Sequence, residues 1–172
     1  MVDEFLNHKV DPIVMRGVGA ALAELIKPWN VDMILTAEAS GIPPAIACAL
    51  HTDLPVVYAK KYVGPGHRYT FAREVASPTK GTEYRVEVSR RVLEPGLRLA
   101  VIDDFLSGGR TAEALGEIAT EAGCQPIGFA FAIEKSFTPG RVRLEGHGWT
   151  VKSLVKVQSI EDGVVTFGTA DV

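Results

Sequence analysis

The chain has 172 residues, of which 47% are hydrophobic and 23% are charged, and its formal net charge at pH 7 is −3. This length predicts a single domain over residues 1–172, and the mild acidity excludes the basic surface that binds nucleic acid. No apolar run approaches the roughly 18 residues of a membrane helix, the start lacks a signal-peptide pattern, and the two cysteines match neither a disulfide framework nor a metal spacing. We therefore expect a cytoplasmic protein with neither nucleic-acid nor membrane partners.

Helices and strands alternate along most of the sequence. In chain order, the patterns predict a helix over 12–27, a strand over 31–39, a helix over 42–50, a strand over 54–61, a hairpin over 69–76 and 83–89, a strand over 95–104, a helix over 109–123, a strand over 125–136, a short helix near 141–147 and a last strand over 149–160. This order predicts an α/β fold. Its central, mostly parallel sheet is flanked by helices, and the hairpin is an antiparallel insertion.

The sequence "LAVIDDFLSGGRT", residues 99–111, joins a predicted buried strand to a predicted helix. Asp103 and Asp104 end the strand, where two like charges cost stability unless a cationic or hydroxyl-rich ligand meets them. The loop that follows would gather backbone N–H groups at a helix N-terminus, which suits a phosphate. The phosphate-binding candidates are Ser107, Gly108, Gly109, Arg110 and Thr111.

A ribose 5-phosphate satisfies both ends of this stretch, with its phosphate in the loop and its 2- and 3-hydroxyls on the aspartates. The alternative is an ordinary strand–loop–helix connection in which Asp103 or Asp104 only caps the helix.

This stretch resembles the phosphoribosyl pyrophosphate (PRPP) motif of type I phosphoribosyltransferases, except that Gly108 replaces a common threonine and Arg110 a common glycine. Other segments resemble the xanthine phosphoribosyltransferase branch of that family: "FLNHKVDP", "EASGIPPA", "YAKK", "SPTKGTEYRVEVS", "IEKSFTPGR" and "VQSIEDGVV". The resemblance covers nearly the whole chain. It implies transfer of ribose 5-phosphate from PRPP to a purine, xanthine in particular, with Mg²⁺ as cofactor and a homodimer as the assembly. The family usually has a further N-terminal segment that helps to cover the base, so either that cover is shorter here or part of the gene start is missing.

The resemblance also gives roles in PRPP binding to residues outside the loop. Ser40 and Gly41, at a predicted helix start, would donate to pyrophosphate, although helix capping by Ser40 explains them equally well. Lys60 and Lys61 follow a strand, and because adjacent strand residues face opposite ways, we expect only one of them to reach the ligand. Lys80 lies at the tip of the hairpin, which resembles a hood that closes over PRPP and excludes water.

The purine would bind opposite PRPP. The resemblance places Asn7 and Lys135 there, and an ammonium group suits xanthine, which readily becomes an anion near neutral pH. Phe137 would pack on the base. The ordinary explanations are that Asn7 is a turn or cap residue, that Lys135 is a surface lysine at a strand end, and that Phe137 belongs to the core. Glu38, beside the predicted pyrophosphate loop, either binds Mg²⁺ through water or holds the loop in shape.

In the implied reaction, Asp103 and Asp104 are the catalytic pair and the metal ligands, and they hold the ribose hydroxyls beside a developing positive charge. Ser107 stands where hypoxanthine-guanine enzymes carry a carboxylate, which argues against that branch. Two alternatives stay open. Adenine phosphoribosyltransferases share the acid pair and the small loop. A non-catalytic, PRPP-sensing purine regulator would need a DNA-binding domain and a basic surface, for which we expect neither room nor charge.

Overall fold

The structure of the protein is a computed structural model that describes residues 6–62, 69–76 and 83–171. The helices in these ranges are α1 (Pro12–Ile26), α2 (Ile42–Thr52), α3 (Arg110–Glu121) and α4 (Gly140–Glu145), and a 3-10 turn over Lys27–Trp29 follows α1. The strands are β1 (Met33–Ala37), β2 (Val56–Tyr62), β3 (Thr70–Ala76), β4 (Glu83–Ser89), β5 (Arg98–Leu106), β6 (Gln125–Lys135), β7 (Thr150–Glu161) and β8 (Val164–Gly168).

These strands form one sheet in the order β3-β4-β2-β1-β5-β6-β7-β8. The five strands from β2 to β7 in this order run parallel to one another, whereas the β3–β4 hairpin pairs antiparallel with β2. The predicted α/β fold, with a mostly parallel sheet and an antiparallel hairpin, is confirmed.

Strand β8 is an addition to the predicted elements. It pairs antiparallel with β7 at the sheet edge. Asp162 and Gly163 connect the two strands with positive φ angles of 49° and 80°, the backbone of a two-residue hairpin turn. An Asp-Gly pair between apolar runs is a strong hairpin signal, so the sequence does contain the information that predicts β8.

Both faces of the central strands are buried, because helices cover the sheet on each side. Successive side chains of a strand point to opposite faces. In β5, Val101 belongs to the buried cluster that includes Leu115 of α3, and Ile102 belongs to the one that includes Leu22 of α1. Full burial of such a side chain contributes about 1.5–3 kcal/mol, so β5 is a firm support for the residues at its end.

Parallel strands bring their carboxyl ends to the same edge of the sheet. The segments that follow β1, β5 and β6 therefore meet there, and this is the edge where open α/β sheets bind ligands. Among the residues described, none of the helices has both the length and the apolar character needed to cross a membrane.

Candidate active site

A cavity of about 480 Å³ opens at this edge of the sheet. Its wall brings together nine of the predicted site residues: Ser40, Lys61, Asp103, Asp104, Ser107, Gly108, Gly109, Arg110 and Thr111. Residues more than 60 positions apart in the chain thus surround one space, although they belong to segments that the sequence patterns identify separately. Lys80 lies outside the described residues.

The two aspartates are buried at the end of β5. Asp103 is 9% exposed and Asp104 is 6% exposed, and the backbone N–H of Asp104 donates to Asp103 Oδ1 at 2.9 Å. Burial, followed by the neighbouring charge of Asp104, raises the pKa of Asp103 well above its ordinary value, and the ammonium of Lys61 opposes this only in part. Such a pair is unfavourable by itself and favours a positively charged or hydroxyl-rich ligand.

Gly41 lies behind the acid pair. A Cβ atom at this position would overlap Thr36 Oγ1 and Asp103 Oδ1, so only glycine lets the start of α2 come so close to β5. Ser40 lines the cavity, whereas Gly41 is buried beside it. No side chain in the described structure caps α2, so the capping role considered for Ser40 is not seen.

The loop after the acid pair has the backbone of an anion site. Gly109 starts α3 with a φ of 76°, in the left-handed region that favours glycine. Within the described ranges, the backbone N–H groups of Gly108 and Gly109 have no protein acceptor, and α3 has no side-chain cap. The aspartates therefore do not cap this helix. Its N-terminus, which has a partial positive charge, forms part of the cavity wall.

Lys60 and Lys61 face opposite sides of the sheet. Lys61 lines the cavity with its ammonium 5.5 Å from the ring centre of Tyr84, whereas Lys60 lines a separate pocket together with Glu87. Glu38 accepts a hydrogen bond from the backbone N–H of Lys61 at 2.7 Å. This bond ties the loop after β1 to β2, so the structure favours the shape-holding role for Glu38.

The purine-side candidates lie around Phe105. This aromatic side chain lines the cavity, and the Lys135 ammonium lies 5.7 Å from its ring centre. Asn7 is exposed and follows Leu6, which is buried in a small cluster against which Phe105 packs. Phe137 is 53% exposed and does not line the cavity. Phe105, rather than Phe137, is therefore the aromatic residue in the wall.

The wall also contains residues outside the predicted set, and those with a polar or aromatic side chain not discussed for binding from sequence include Tyr84, Phe105, Thr138 and Arg143. Tyr84 shares a strand face with the buried Val86, and its hydroxyl hydrogen bonds with that of Thr111 at 2.9 Å. The alternation in "EYRVEVS" places Tyr84 on this inward face, so a signal for it exists. Thr138 and Arg143 follow β6, and nothing in the local sequence shows that they contact a loop about 30 positions earlier.

Known proteins with similar sequences agree on one family. No protein-family model matches the chain. Among curated proteins, the chain is 45% identical to the xanthine phosphoribosyltransferase of Laribacter hongkongensis over 169 residues, which cover 97% of this chain and 89% of that protein. It is 43% identical to the xanthine phosphoribosyltransferase of Chloroflexus aurantiacus over 162 residues, which cover 94% of this chain and 77% of that protein.

Solved structures share the fold at lower sequence identity. An adenine phosphoribosyltransferase from Rhodothermus marinus superposes with a TM-score of 0.73 at 27% identity, over 86% of this chain and 81% of that one. One from Thermoanaerobacter pseudethanolicus gives a TM-score of 0.75 at 24% identity, over 85% and 82%. The structural likeness supports the fold, and the sequence identity to the curated relatives identifies the branch. The chain belongs to the xanthine phosphoribosyltransferase family.

Proposed function

We propose that the protein is a purine salvage enzyme that transfers ribose 5-phosphate from PRPP to a purine base, with xanthine as the preferred base. The products are the nucleoside monophosphate and pyrophosphate. One observation carries this proposal: a single cavity has two buried aspartates beside a loop with two backbone amides that have no acceptor among the described residues. A sugar phosphate supplies the hydroxyl groups and the anion that these two features require.

PRPP would lie along the cavity with its 5-phosphate in the loop 105–111. The amides of Gly108 and Gly109 and the hydroxyls of Ser107 and Thr111 supply donors there, and Arg110 adds a positive charge to the wall. Ser40 and the ammonium of Lys61 are placed to meet the pyrophosphate at the other end. Lys60 and Lys80 remain predictions for PRPP binding, and the direction of Lys60 does not favour it.

The acid pair fits Mg²⁺. No group of three or more metal-ligating side chains occurs among the described residues, and of these Asp103 and Asp104 would hold the ion. This suits a cation that usually takes one or two carboxylates and completes its shell with substrate oxygens and water. When bound, Mg²⁺ would neutralise the charge that develops on the departing pyrophosphate. Burial and the charge of Asp104 raise the pKa of Asp103 and Lys61 opposes this only in part, so a further cation would suit the pair.

The protein's own task in the transfer is positioning and charge stabilisation. Breaking the bond to pyrophosphate leaves positive charge on the anomeric carbon of the ribose. Asp103 and Asp104 would hold the ribose hydroxyls and add negative potential beside that carbon, from the end of a buried strand. The loop at the 5-phosphate and Lys61 at the pyrophosphate would fix the sugar between them, so that the base attacks from one direction.

The base would lie against Phe105, between Lys135 and the segment that contains Asn7. An aromatic face stacks on a purine, and the Lys135 ammonium favours the anionic form of xanthine over a neutral base. Phe137 remains a prediction for base binding, because its position outside the wall does not support it. The names of the curated relatives also support xanthine as the base.

Turnover with separate bases tests this proposal. Purified protein, Mg²⁺ and PRPP are mixed with xanthine, adenine, guanine or hypoxanthine, and nucleoside monophosphate and pyrophosphate are measured. We expect the largest kcat/KM for xanthine. Preference for adenine, which the names of the structural relatives make the second candidate, would refute the choice of base. PRPP binding without any turnover would refute the enzyme and support a regulator. A homodimer and a cytoplasmic location remain predictions.

A further inference from the structure

Two side chains that follow β6, those of Thr138 and Arg143, contact carbonyl oxygens of the loop 105–111. Oγ1 of Thr138 lies 2.9 Å from the carbonyl oxygen of Ser107 and 2.6 Å from that of Lys135, so two acceptors share its single proton, whereas Nε of Arg143 donates to the carbonyl of Gly108 at 2.9 Å. The backbones are also in close contact there, because a Cβ atom at Gly140 would overlap the carbonyl oxygen of Ser107. These contacts therefore restrict two consecutive carbonyl groups of the loop, those of Ser107 and Gly108.

The direction of a carbonyl determines the direction of the next amide. In a trans peptide unit, the C=O of one residue and the N–H of the following residue lie in one plane and point opposite ways. The contacts of the Ser107 carbonyl with Thr138 and Gly140 restrict its direction, and the N–H of Gly108 therefore points away from them. Arg143 does the same for the N–H of Gly109 through the Gly108 carbonyl. These are the two amides without a protein acceptor in the described structure.

Arg143 is itself held in place. Its Nη1 donates to Glu113 Oε2 at 2.9 Å, and the other oxygen of Glu113 lies 2.9 Å from Nε2 of His147. The ring of His147 stacks on Trp149 with 4.4 Å between ring centres. Hydrogen bonds from His147 and Arg143 lower the pKa of Glu113 despite its partial burial, so the carboxylate is charged at neutral pH. The guanidinium is thus held between the Gly108 carbonyl and the Glu113 carboxylate.

We propose that Arg143 and Thr138 are positioning residues that orient the Gly108 and Gly109 amides toward the 5-phosphate, and that Arg143 acts through the Gly108 carbonyl instead of binding the phosphate itself. This inference rests on the proposed function of the same cavity. Glycine-rich loops change conformation easily, and an amide that points the wrong way cannot donate to the ligand. The two side chains therefore prearrange the loop before the phosphate arrives.

Binding of ribose 5-phosphate, measured by calorimetry, tests the inference. We expect Arg143→Met to raise the Kd for ribose 5-phosphate about tenfold and to leave the Kd for pyrophosphate within twofold, because pyrophosphate does not use the loop. Arg98→Met is the matched control. Arg98 also donates to backbone carbonyls, those of Trp29 and Asn30 at 2.8 Å each, but at the opposite end of β5. The Arg98→Met variant should bind both ligands with the Kd values of the wild type.

Glu113→Ala separates positioning from direct binding. If Arg143 positions the loop, release from Glu113 loosens it and weakens ribose 5-phosphate binding severalfold. A direct ligand would bind the phosphate more tightly once its carboxylate partner is removed, and that result would overturn the proposal. Unchanged ribose 5-phosphate binding by Arg143→Met, equal losses for both ligands, or no measurable binding by the wild type would also overturn it. Wild-type turnover of PRPP with xanthine is measured in parallel, so its absence beside intact ribose 5-phosphate binding would refute only the proposed function.

Discussion

At the scale of single residues, the buried acid pair is the centre of the proposed chemistry. Asp103 and Asp104 could be identified from sequence, because two adjacent acids after an apolar run have no structural reason to be buried together. The wall residues Tyr84 and Phe105 have weaker signals, since an aromatic residue on a strand is equally typical of a core. Arg143 has none, because its contact with Gly108 depends on how α4 packs against the loop.

Asp104→Asn should separate catalysis from stability. The amide keeps the size of the carboxyl but loses the charge that would hold the ribose and stabilise the transition state, so we expect kcat to fall about 100-fold or more. Stability at pH 7 should stay equal or rise, because Asp103 no longer faces a like charge in a buried site. Steady-state kinetics and thermal unfolding measure the two effects. Unchanged turnover would remove Asp104 from the site.

Lys135→Ala should affect the base more than the donor. Loss of the ammonium beside Phe105 removes the group that favours anionic xanthine, so the KM for xanthine should rise about tenfold while the Kd for PRPP stays within twofold. Lys152→Ala serves as a control, because this lysine is bound to the Asp171 carbonyl at 3.4 Å and does not line the cavity. Equal losses for xanthine and PRPP would contradict the role of Lys135.

At the scale of elements, the parallel strands, the hairpin and the main helices follow from local patterns. Apolar runs separated by caps and glycines identify β1, β5 and β6 because burial on both faces demands continuous hydrophobicity. Strand β8 is a short edge strand with four of its five residues exposed, so burial gives no reason for it and its sequence signal is the Asp162-Gly163 turn. Which elements touch at the site depends on sheet order, and local pattern does not encode that order.

One buried ion pair joins several of these elements. Glu134 of β6 is 2% exposed, and it accepts hydrogen bonds from Nε and Nη2 of Arg141 and from the hydroxyl of Ser153 in β7. Arg141 also pairs with Asp171 near the chain end at 2.8 Å. This network connects α4, which carries Arg143, to the sheet.

Glu134→Gln should therefore destabilise the protein by about 3 kcal/mol at pH 7, because it leaves a partly buried guanidinium without its main partner. Glu145→Gln removes an exposed partner of the same Arg141, 48% exposed, and should cost at most about 0.5 kcal/mol. Urea unfolding of both variants measures the difference. Similar losses for the two would show that burial of Glu134 does not strengthen the network.

At the scale of the whole molecule, the free energy of unfolding should depend on pH. Burial alone would raise the pKa of Glu134, Asp171 and Glu113, but hydrogen bonds and charges from their cationic partners outweigh it and lower each pKa. A carboxyl with a lowered folded pKa stabilises the fold above its unfolded pKa, and this stabilisation is lost as pH falls through the folded value. Asp103 has the opposite sign, since its raised pKa means that acid relieves an unfavourable charge.

From pH 7 to pH 5 only the raised pKa of Asp103 acts, so the free energy of unfolding should stay level or rise, and below about pH 4.5 the three carboxyls with a lowered pKa should make it fall. Urea unfolding at a series of pH values measures this curve. In Glu134→Gln the decline should be shallower, because one of the titrating groups is gone. A wild type as stable at pH 3 as at pH 7 would contradict the sign of these shifts.

The central claim is that the cavity at the ends of β1 and β5 holds a sugar phosphate between the acid pair and the loop. A crystal structure of the protein soaked with Mg²⁺ and PRPP tests it most directly. We predict the 5-phosphate within hydrogen-bond distance of the Gly108 and Gly109 amides, and the ribose hydroxyls at Asp103 and Asp104. A clear map with PRPP bound elsewhere, or with this cavity empty at saturating PRPP, would contradict it.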